Sequence, residues 1–249
     1  MYNNPFSLKD KIILVTGASS GIGKAIAIES SKMGAKVIIS GRNEERLKET
    51  LSLLEGDNNE FIIADLSVQE ELEKLYKSLP ALDGVVNCAG LTKVAPFPFA
   101  TRESFEEVLS VNFFAPAELT RLLVKSKKIK KRGSIVFISS VSGVYCSAVA
   151  SSIYSSSKGA VNRLVKGMAL DLAPKGIRVN SVNPGMIDTD IFSGSAITEE
   201  QLKEDMKRYP LGRYGKPEEV AYATIYLLSD AATWTTGSNI VIDGGYTLL

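Results

Sequence analysis

Ile12-Ile13-Leu14-Val15-Thr16-Gly17-Ala18-Ser19-Ser20-Gly21-Ile22-Gly23 is the stretch that decides the fold. Its first four residues are continuously apolar, which suits a strand buried on both faces of a parallel sheet. The run stops at Gly17, Gly21 and Gly23 and passes into a helical pattern with Ile22, Ala25, Ile26 and Met33 on one face. Gly34 is the natural C-terminal stop. A second apolar run, Val37-Ile38-Ile39, follows at once, and the whole unit takes about 30 residues, as a β-α-β crossover should.

The rhythm continues in both directions. Phe61-Ile62-Ile63-Ala64, Gly84-Val85-Val86-Asn87, Ser134-Ile135-Val136-Phe137-Ile138, Arg178-Val179-Asn180-Ser181-Val182 and Ile240-Val241-Ile242 read as further strands, separated by helical stretches such as Glu70 to Ser78. Strands alternating with helices predict an α/β fold, a doubly wound parallel sheet with helices on both faces. No linker, repeat or low-complexity tract divides the chain, so residues 1–249 are expected to form a single domain. Only residues 186–216 break the rhythm, with a helical stretch from Thr198 to Tyr209. An insertion after the carboxyl end of a strand is expected to form a lid over the ligand site.

Composition removes several kinds of chemistry. The chain has no histidine, which excludes His-based triads and zinc sites with imidazole ligands. Its two cysteines, Cys88 and Cys146, support neither a disulfide framework nor a four-thiolate metal site and read as structural, so no metal is expected. Lys plus Arg number 29 against 28 for Asp plus Glu, which leaves no global field to draw nucleic acid or an anionic membrane. No run approaches the roughly 18 apolar residues of a membrane span, and no secretory signal opens the chain. The expected location is the cytoplasm.

Glycines between a buried strand and a helix let the backbone approach a diphosphate, while the helix N-terminus offers free N–H donors. An NAD-binding chain usually carries Asp or Glu at the end of the second strand to hold the ribose hydroxyls. Here that place reads Ser40-Gly41-Arg42-Asn43. An arginine without the acid suits a 2′-phosphate, so NADP(H) is the expected cofactor. Further along, Tyr154 and Lys158 stand four apart, on one face of a helix. A phenol titrates near about 10, and an ammonium one turn away favours its ionised form. Such a pair makes a usable proton donor to a carbonyl under reduction, or a base in reverse.

These features in order resemble the short-chain dehydrogenase/reductase family over essentially the whole chain. The resemblance is carried by Thr16-Gly17-Ala18-Ser19-Ser20-Gly21-Ile22-Gly23, Asn87-Cys88-Ala89-Gly90, Asn112, Ser139-Ser140, Tyr154-x-x-x-Lys158 and Pro184-Gly185. Thr236-Gly237 and Val241-x-Asp243-Gly244-Gly245 close it. It implies a Rossmann-type domain with Ser140 as stabiliser of the substrate oxygen, Tyr154 as proton donor, Lys158 as holder of the nicotinamide ribose and Asn112 as anchor of a relay water. Ser140 precedes Tyr154 by one residue more than is usual, so Ser139 and Ser142 are its rivals. The resemblance further implies that Asp65 meets the adenine, Asn87 and Gly90 the ribose region, and Ile187 with Thr189 the carboxamide and diphosphate. Ser19, Ser20, Ile22, Leu66, Ala89, Pro184 and Gly185 complete the implied cofactor set.

Among such enzymes the pattern is most similar to 3-oxoacyl-acyl-carrier-protein reductases, which implies a role in fatty acid synthesis. Lys125, Lys127, Lys128, Lys130, Lys131 and Arg132 are read as crowding a helix end before the Ser134 strand. A local basic patch of Lys128, Lys131, Arg132 and Lys175 would guide an acidic carrier protein. The alternatives are a sugar, polyol or hydroxysteroid dehydrogenase and a non-catalytic dinucleotide-sensing module. Met186, Ile191, Phe192, Met206 and Tyr209 give the lid a partly apolar lining. The family resemblance implies a homotetramer, and the apolar end Tyr246-Thr247-Leu248-Leu249 suits burial against a neighbour or against its own subunit.

Overall fold

The computed structural model describes residues 4–189 and 198–249. The apolar runs become strands β1 (Ile12–Thr16), β2 (Lys36–Gly41), β3 (Glu60–Ile63), β4 (Leu82–Asn87), β5 (Ile129–Ile138), β6 (Arg178–Pro184) and β7 (Asn239–Ile242). They pair in one parallel sheet of order β3-β2-β1-β4-β5-β6-β7. Between and after them lie α1 (Gly21–Lys32), α2 (Glu44–Ser52), α3 (Gln69–Ser78), α4 (Arg102–Leu109), α5 (Ala115–Lys125), α6 (Ser152–Leu172), α7 (Glu199–Met206) and α8 (Pro217–Leu228). The result is a single-domain, doubly wound Rossmann-type fold. Among the described residues no helix is long and apolar enough to cross a membrane.

Strand side chains alternate between faces, and this one rule sorts the core into two layers. Ile13, Val15, Val37, Ile39, Val86 and Val136 pack with α1 and α8 residues such as Ile26, Val220 and Ile225. Leu14, Ile38, Val85, Ile135 and Phe137 face the other way, toward Leu72 of α3, Leu119 and Leu123 of α5 and Val165 of α6. The strand order reverses between β1 and β4. In an open parallel sheet this switch point leaves a crevice at the carboxyl ends of the strands, where residues 16–20 and 87–91 emerge.

One sequence expectation changes. The basic run is not a helix end: α5 stops at Lys125, Lys127 takes a left-handed φ of 58°, and β5 starts at Ile129. Pairing decides this, because Leu82 donates its N–H to the Lys128 carbonyl at 2.7 Å and stands in register with Ile129. In the 186–216 segment, Ile191 and Phe192 lie outside the described residues. What is described is anchored: Ile187 bridges Gly215, and a reciprocal cap of Thr198 and Gln201 starts α7.

Candidate functional site

A cavity of about 960 Å³ opens at the switch point. Its floor is the glycine turn. A Cβ on Gly17 would stand 2.7 Å from the Ala89 Cα, and one on Gly23 would stand 2.3 Å from the Gly17 carbonyl oxygen. Gly17 and Gly21 adopt φ of 67° and 52°, which favours glycine. Thr16 ties the turn to β4: its hydroxyl accepts from the N–H groups of Cys88 and Ala89 at 3.1 and 3.3 Å. Ser20 caps α1 without a side-chain hydrogen bond, so the first-turn N–H groups have no side-chain partner from the cap. Bare backbone beside outward N–H groups is the cradle a diphosphate requires.

Of the residues expected at the cofactor, Gly17, Ser19, Ser20, Gly21, Ile22, Gly23, Arg42, Asp65, Leu66, Ala89, Gly90, Tyr154, Lys158 and Thr189 line this cavity. Thr189 closes over the turn, its Cγ2 3.3 Å from where a Gly21 Cβ would lie. Arg42 is exposed and stands 3.7 Å from the Asp65 carboxylate. Partial burial pushes the Asp65 carboxyl up, but the Ser67 hydroxyl and N–H and the Arg42 guanidinium outweigh it and hold it below the usual value. Arg46 lines the same wall and was not singled out in the sequence. Its signal was there: Asn43 caps α2 by accepting from the Arg46 N–H at 2.9 Å, which puts Arg46 in the first turn, beside Arg42.

Four expected residues sit elsewhere. Asn87 is buried, and its amide donates to Thr120 at 3.1 Å, tying β4 to α5 instead of facing a ribose. Pro184 ends β6 opposite Ile242, and the Gly185 N–H donates to the Ile242 carbonyl at 2.9 Å. Ile187 packs into the core, with its Cδ1 2.7 Å from the Cβ position of Gly215. None of the four lines the cavity.

Tyr154 and Lys158 both face the cavity from the first turns of α6. Lys158 is buried, and its ammonium donates to the Ile138 carbonyl at 2.9 Å while standing 5.7 Å from the Tyr154 ring centre. Asn112 lies in a π-helical turn, Ser110–Phe114, between α4 and α5; such turns recur at functional sites. Its amide donates to the Leu91 carbonyl at 2.9 Å and the Ser157 hydroxyl at 3.0 Å, and its oxygen accepts from the Leu91 N–H at 2.8 Å. Asn112 therefore fixes the exit of β4 against α6 through its side-chain amide.

The three serines separate by geometry. Ser139 points inward and donates to the Lys158 carbonyl at 3.1 Å. Ser140 is extended, and its hydroxyl accepts from the Ser142 N–H at 3.1 Å, capping the 3-10 turn Val141–Gly143. Ser142 lies within that turn. Ser139 alone of the three lines the cavity. Cys88 lines it too, but burial pushes its thiol up to about 12, so it is not a nucleophile.

Of the residues expected to dock a carrier protein, Lys128 is engaged within the fold. The Lys128 ammonium donates to the carbonyls of Tyr76 and Lys77 at 2.8 and 2.7 Å and to that of Leu79. It closes the C-terminus of α3, where a cation complements the helix dipole. Lys130 pairs with Asp83 at 2.7 Å. Lys131 and Arg132 lie near the start of β5, and Lys175 precedes β6. These are the amino ends of the strands, across the sheet from Tyr154.

A switch-point crevice with a glycine cradle and a lysine-paired tyrosine defines a dinucleotide-dependent oxidoreductase of the α/β class. The sequence profile of the family described as enoyl-(acyl carrier protein) reductase matches residues 17–247. The chain belongs to this family, the short-chain dehydrogenase/reductases, whose members are NAD(P)-binding oxidoreductases. A tropinone reductase homolog of Arabidopsis thaliana is 37% identical, with 98% of this chain and 93% of that one covered. A 3-oxoacyl-[acyl-carrier-protein] reductase of Rickettsia prowazekii is also 37% identical, covering 96% and 97%. Among solved structures, a provisionally assigned NAD(P)-dependent gluconate 5-dehydrogenase from Beutenbergia cavernae, with bound NADP, superposes with a TM-score of 0.89 at 31% identity, covering 99% and 100%.

Proposed function

We propose that the protein is an NADPH-dependent reductase that converts a carbonyl into a secondary alcohol, with a 3-oxoacyl thioester as substrate. The observation that carries this reading is the meeting of Tyr154, Lys158 and the glycine cradle in one cavity. The dinucleotide would be held by Gly17, Ser19, Ser20, Gly21, Ile22 and Gly23 at its diphosphate, by Asp65 and Leu66 at its adenine, and by Arg42 with Arg46 at its 2′-phosphate. When bound, it supplies the hydride.

The chain's own residues do the rest. Tyr154 gives its phenolic proton to the substrate oxygen as that oxygen gains charge. Ser140 donates a hydrogen bond to the same oxygen; its own oxygen accepts from the Ser142 N–H, which holds the hydroxyl while leaving its proton to give. Lys158, tethered by the Ile138 carbonyl, keeps an ammonium beside the Tyr154 ring and next to the Gly90 backbone, where a ribose would lie. Asn112 keeps that backbone in place. Ile187, Pro184 and Gly185 contribute through the course of the main chain that leads to Thr189.

The acyl reading is supported by the rim. The loop after β4 and the loop before α6 are joined by a hydrogen bond from the Ala95 N–H to the Ala150 carbonyl, at 2.9 Å. Together they expose Val94, Phe97, Phe99 and Val149, which suit an aliphatic chain better than a polyol. The gluconate 5-dehydrogenase relative favours the polyol as second reading. Self-association is proposed through the groove of about 760 Å³ between α3, α5 and α6, whose rim holds both signs in Glu118, Arg121, Lys125 and Asp171 and so complements a copy of itself.

The cofactor assignment is tested by Arg42→Ala and Arg46→Ala in one chain. Charge-assisted hydrogen bonds contribute roughly 1.5–3 kcal/mol, so the KM for NADPH is expected to rise by about 10- to 100-fold while that for NADH stays put. Equal changes for the two cofactors would remove the 2′-phosphate from the account.

A further inference from the structure

The end of the chain reaches toward the cavity through aromatic contacts. Asp243 accepts from the N–H groups of Gly245 and Thr247 at 2.9 and 2.8 Å and from the Thr247 hydroxyl at 2.7 Å, which curls residues 243–247 into a closed turn. Gly244 and Gly245 take φ of 61° and 87° there. The turn presents Tyr246, whose ring stacks on Tyr209 with centres 4.9 Å apart and planes at 26°. The Arg208 guanidinium lies 5.0 Å over the same ring and hydrogen-bonds its phenol. Tyr209 also meets Tyr214 edge-on at 5.5 Å. The Tyr214 phenol donates to Asp205 at 2.9 Å, and Asp205 pairs with Arg208.

The clasp holds one side of the segment from Tyr209 to Gly215. The Leu211 N–H donates to the Gly244 carbonyl at 3.2 Å, and Pro210 packs so tightly on Gly245 that a Cβ there would lie 2.9 Å from its ring. The other side of the segment carries Met186–Asp188. The Gly215 N–H donates to the Met186 carbonyl at 3.0 Å, and the Asp188 N–H donates back to the Gly215 carbonyl at 2.8 Å. Burial pushes the Tyr209 phenol up to about 12, opposed by a hydrogen bond from the Met186 backbone. The next residue, Thr189, is the cavity wall facing the glycine turn.

We infer that Tyr246 and Tyr209 are positioning residues for the Met186–Thr189 wall of the cofactor cleft, so that the last turn of the chain sets the fit of the nicotinamide half of the dinucleotide. The inference rests on the cofactor reading above. Neither tyrosine lines the cavity, so any effect on binding must pass through the Tyr209–Gly215 segment. Arg42 pairs with Asp65 and Arg46 lies in the first turn of α2, so the adenosine half of the ligand is held by elements other than the clasp.

Equilibrium titrations of NADPH and of adenosine 2′,5′-bisphosphate test this, with thermal unfolding recorded for each variant. For Tyr246→Leu the NADPH Kd is expected to rise about fivefold, the scale of one lost aromatic pair. The bisphosphate, which lacks the nicotinamide, should bind as it does to the unaltered chain. Tyr209→Phe keeps the stacked ring and loses the phenol; it should show a smaller rise of about twofold and carries the test should Tyr246→Leu fail to fold. Unchanged NADPH affinity in both variants overturns the inference, and so does equal weakening of the two ligands, which would mean general loosening. If the unaltered chain binds neither ligand, the cofactor reading itself falls and the inference with it.

Discussion

Replacing Tyr154 by Phe should lower the reductase turnover by about 10²- to 10⁴-fold and leave NADPH affinity within about twofold. The substitution removes one oxygen and keeps the ring, so the buried neighbours Ile153 and Ser157 lose no packing. What disappears is the proton that neutralises the substrate oxygen. Lys158 would still donate to the Ile138 carbonyl and still face the ribose position, which is why binding should survive. A steady-state comparison of kcat and of the cofactor KM separates the two effects. Unaltered kcat in Tyr154→Phe would leave the cavity a binding site and nothing more, in line with the dinucleotide-sensing alternative.

The second large effect is expected at Gly23. An added methyl would lie 2.3 Å from the Gly17 carbonyl oxygen and 2.8 Å from its carbon, and backbone cannot turn aside as a side chain can. Overpacking of this kind costs about 1–3 kcal/mol and at times more. The relief available is to lift α1 away from the turn, which moves the diphosphate cradle itself. A displacement of about 1 Å is enough to cost some 100-fold. Gly23→Ala should therefore lower the melting temperature and weaken NADPH binding by at least about 100-fold, as read by calorimetric titration. Retained affinity would show that the cradle is not where the diphosphate lies.

The fold was legible because its central strands are buried on both faces. A strand such as Ile12–Thr16 or Ser134–Ile138 must be apolar throughout, and a run of that kind needs no tertiary knowledge to be seen. The glycine turn was legible for a related reason, since only glycine permits backbone to meet backbone at 2.7 Å. The start of β5 was hidden. Lys130, Lys131 and Arg132 read as solvated helix end, but they lie in a bulge of β5 between the pairs Leu82–Ile129 and Gly84–Ser134, where Lys130 meets Asp83, 47 residues back. Asn87 and Lys128 were misplaced because a sequence gives a side chain's type and not its direction. Asn87 turned out to tie β4 to Thr120, and Lys128 to close α3. The aromatic clasp was out of reach for the same reason: Tyr209 and Tyr246 lie 37 positions apart and meet only once the sheet has placed β7 beside β6.

A single turnover with NADPH carrying deuterium at its transferable position, and a 3-oxoacyl thioester as acceptor, tests the central claim most directly. The account predicts deuterium on the carbinol carbon of the product for the unaltered chain and almost none within the same time for Tyr154→Phe. A chain that holds NADPH tightly yet passes no deuterium to any carbonyl acceptor would contradict it.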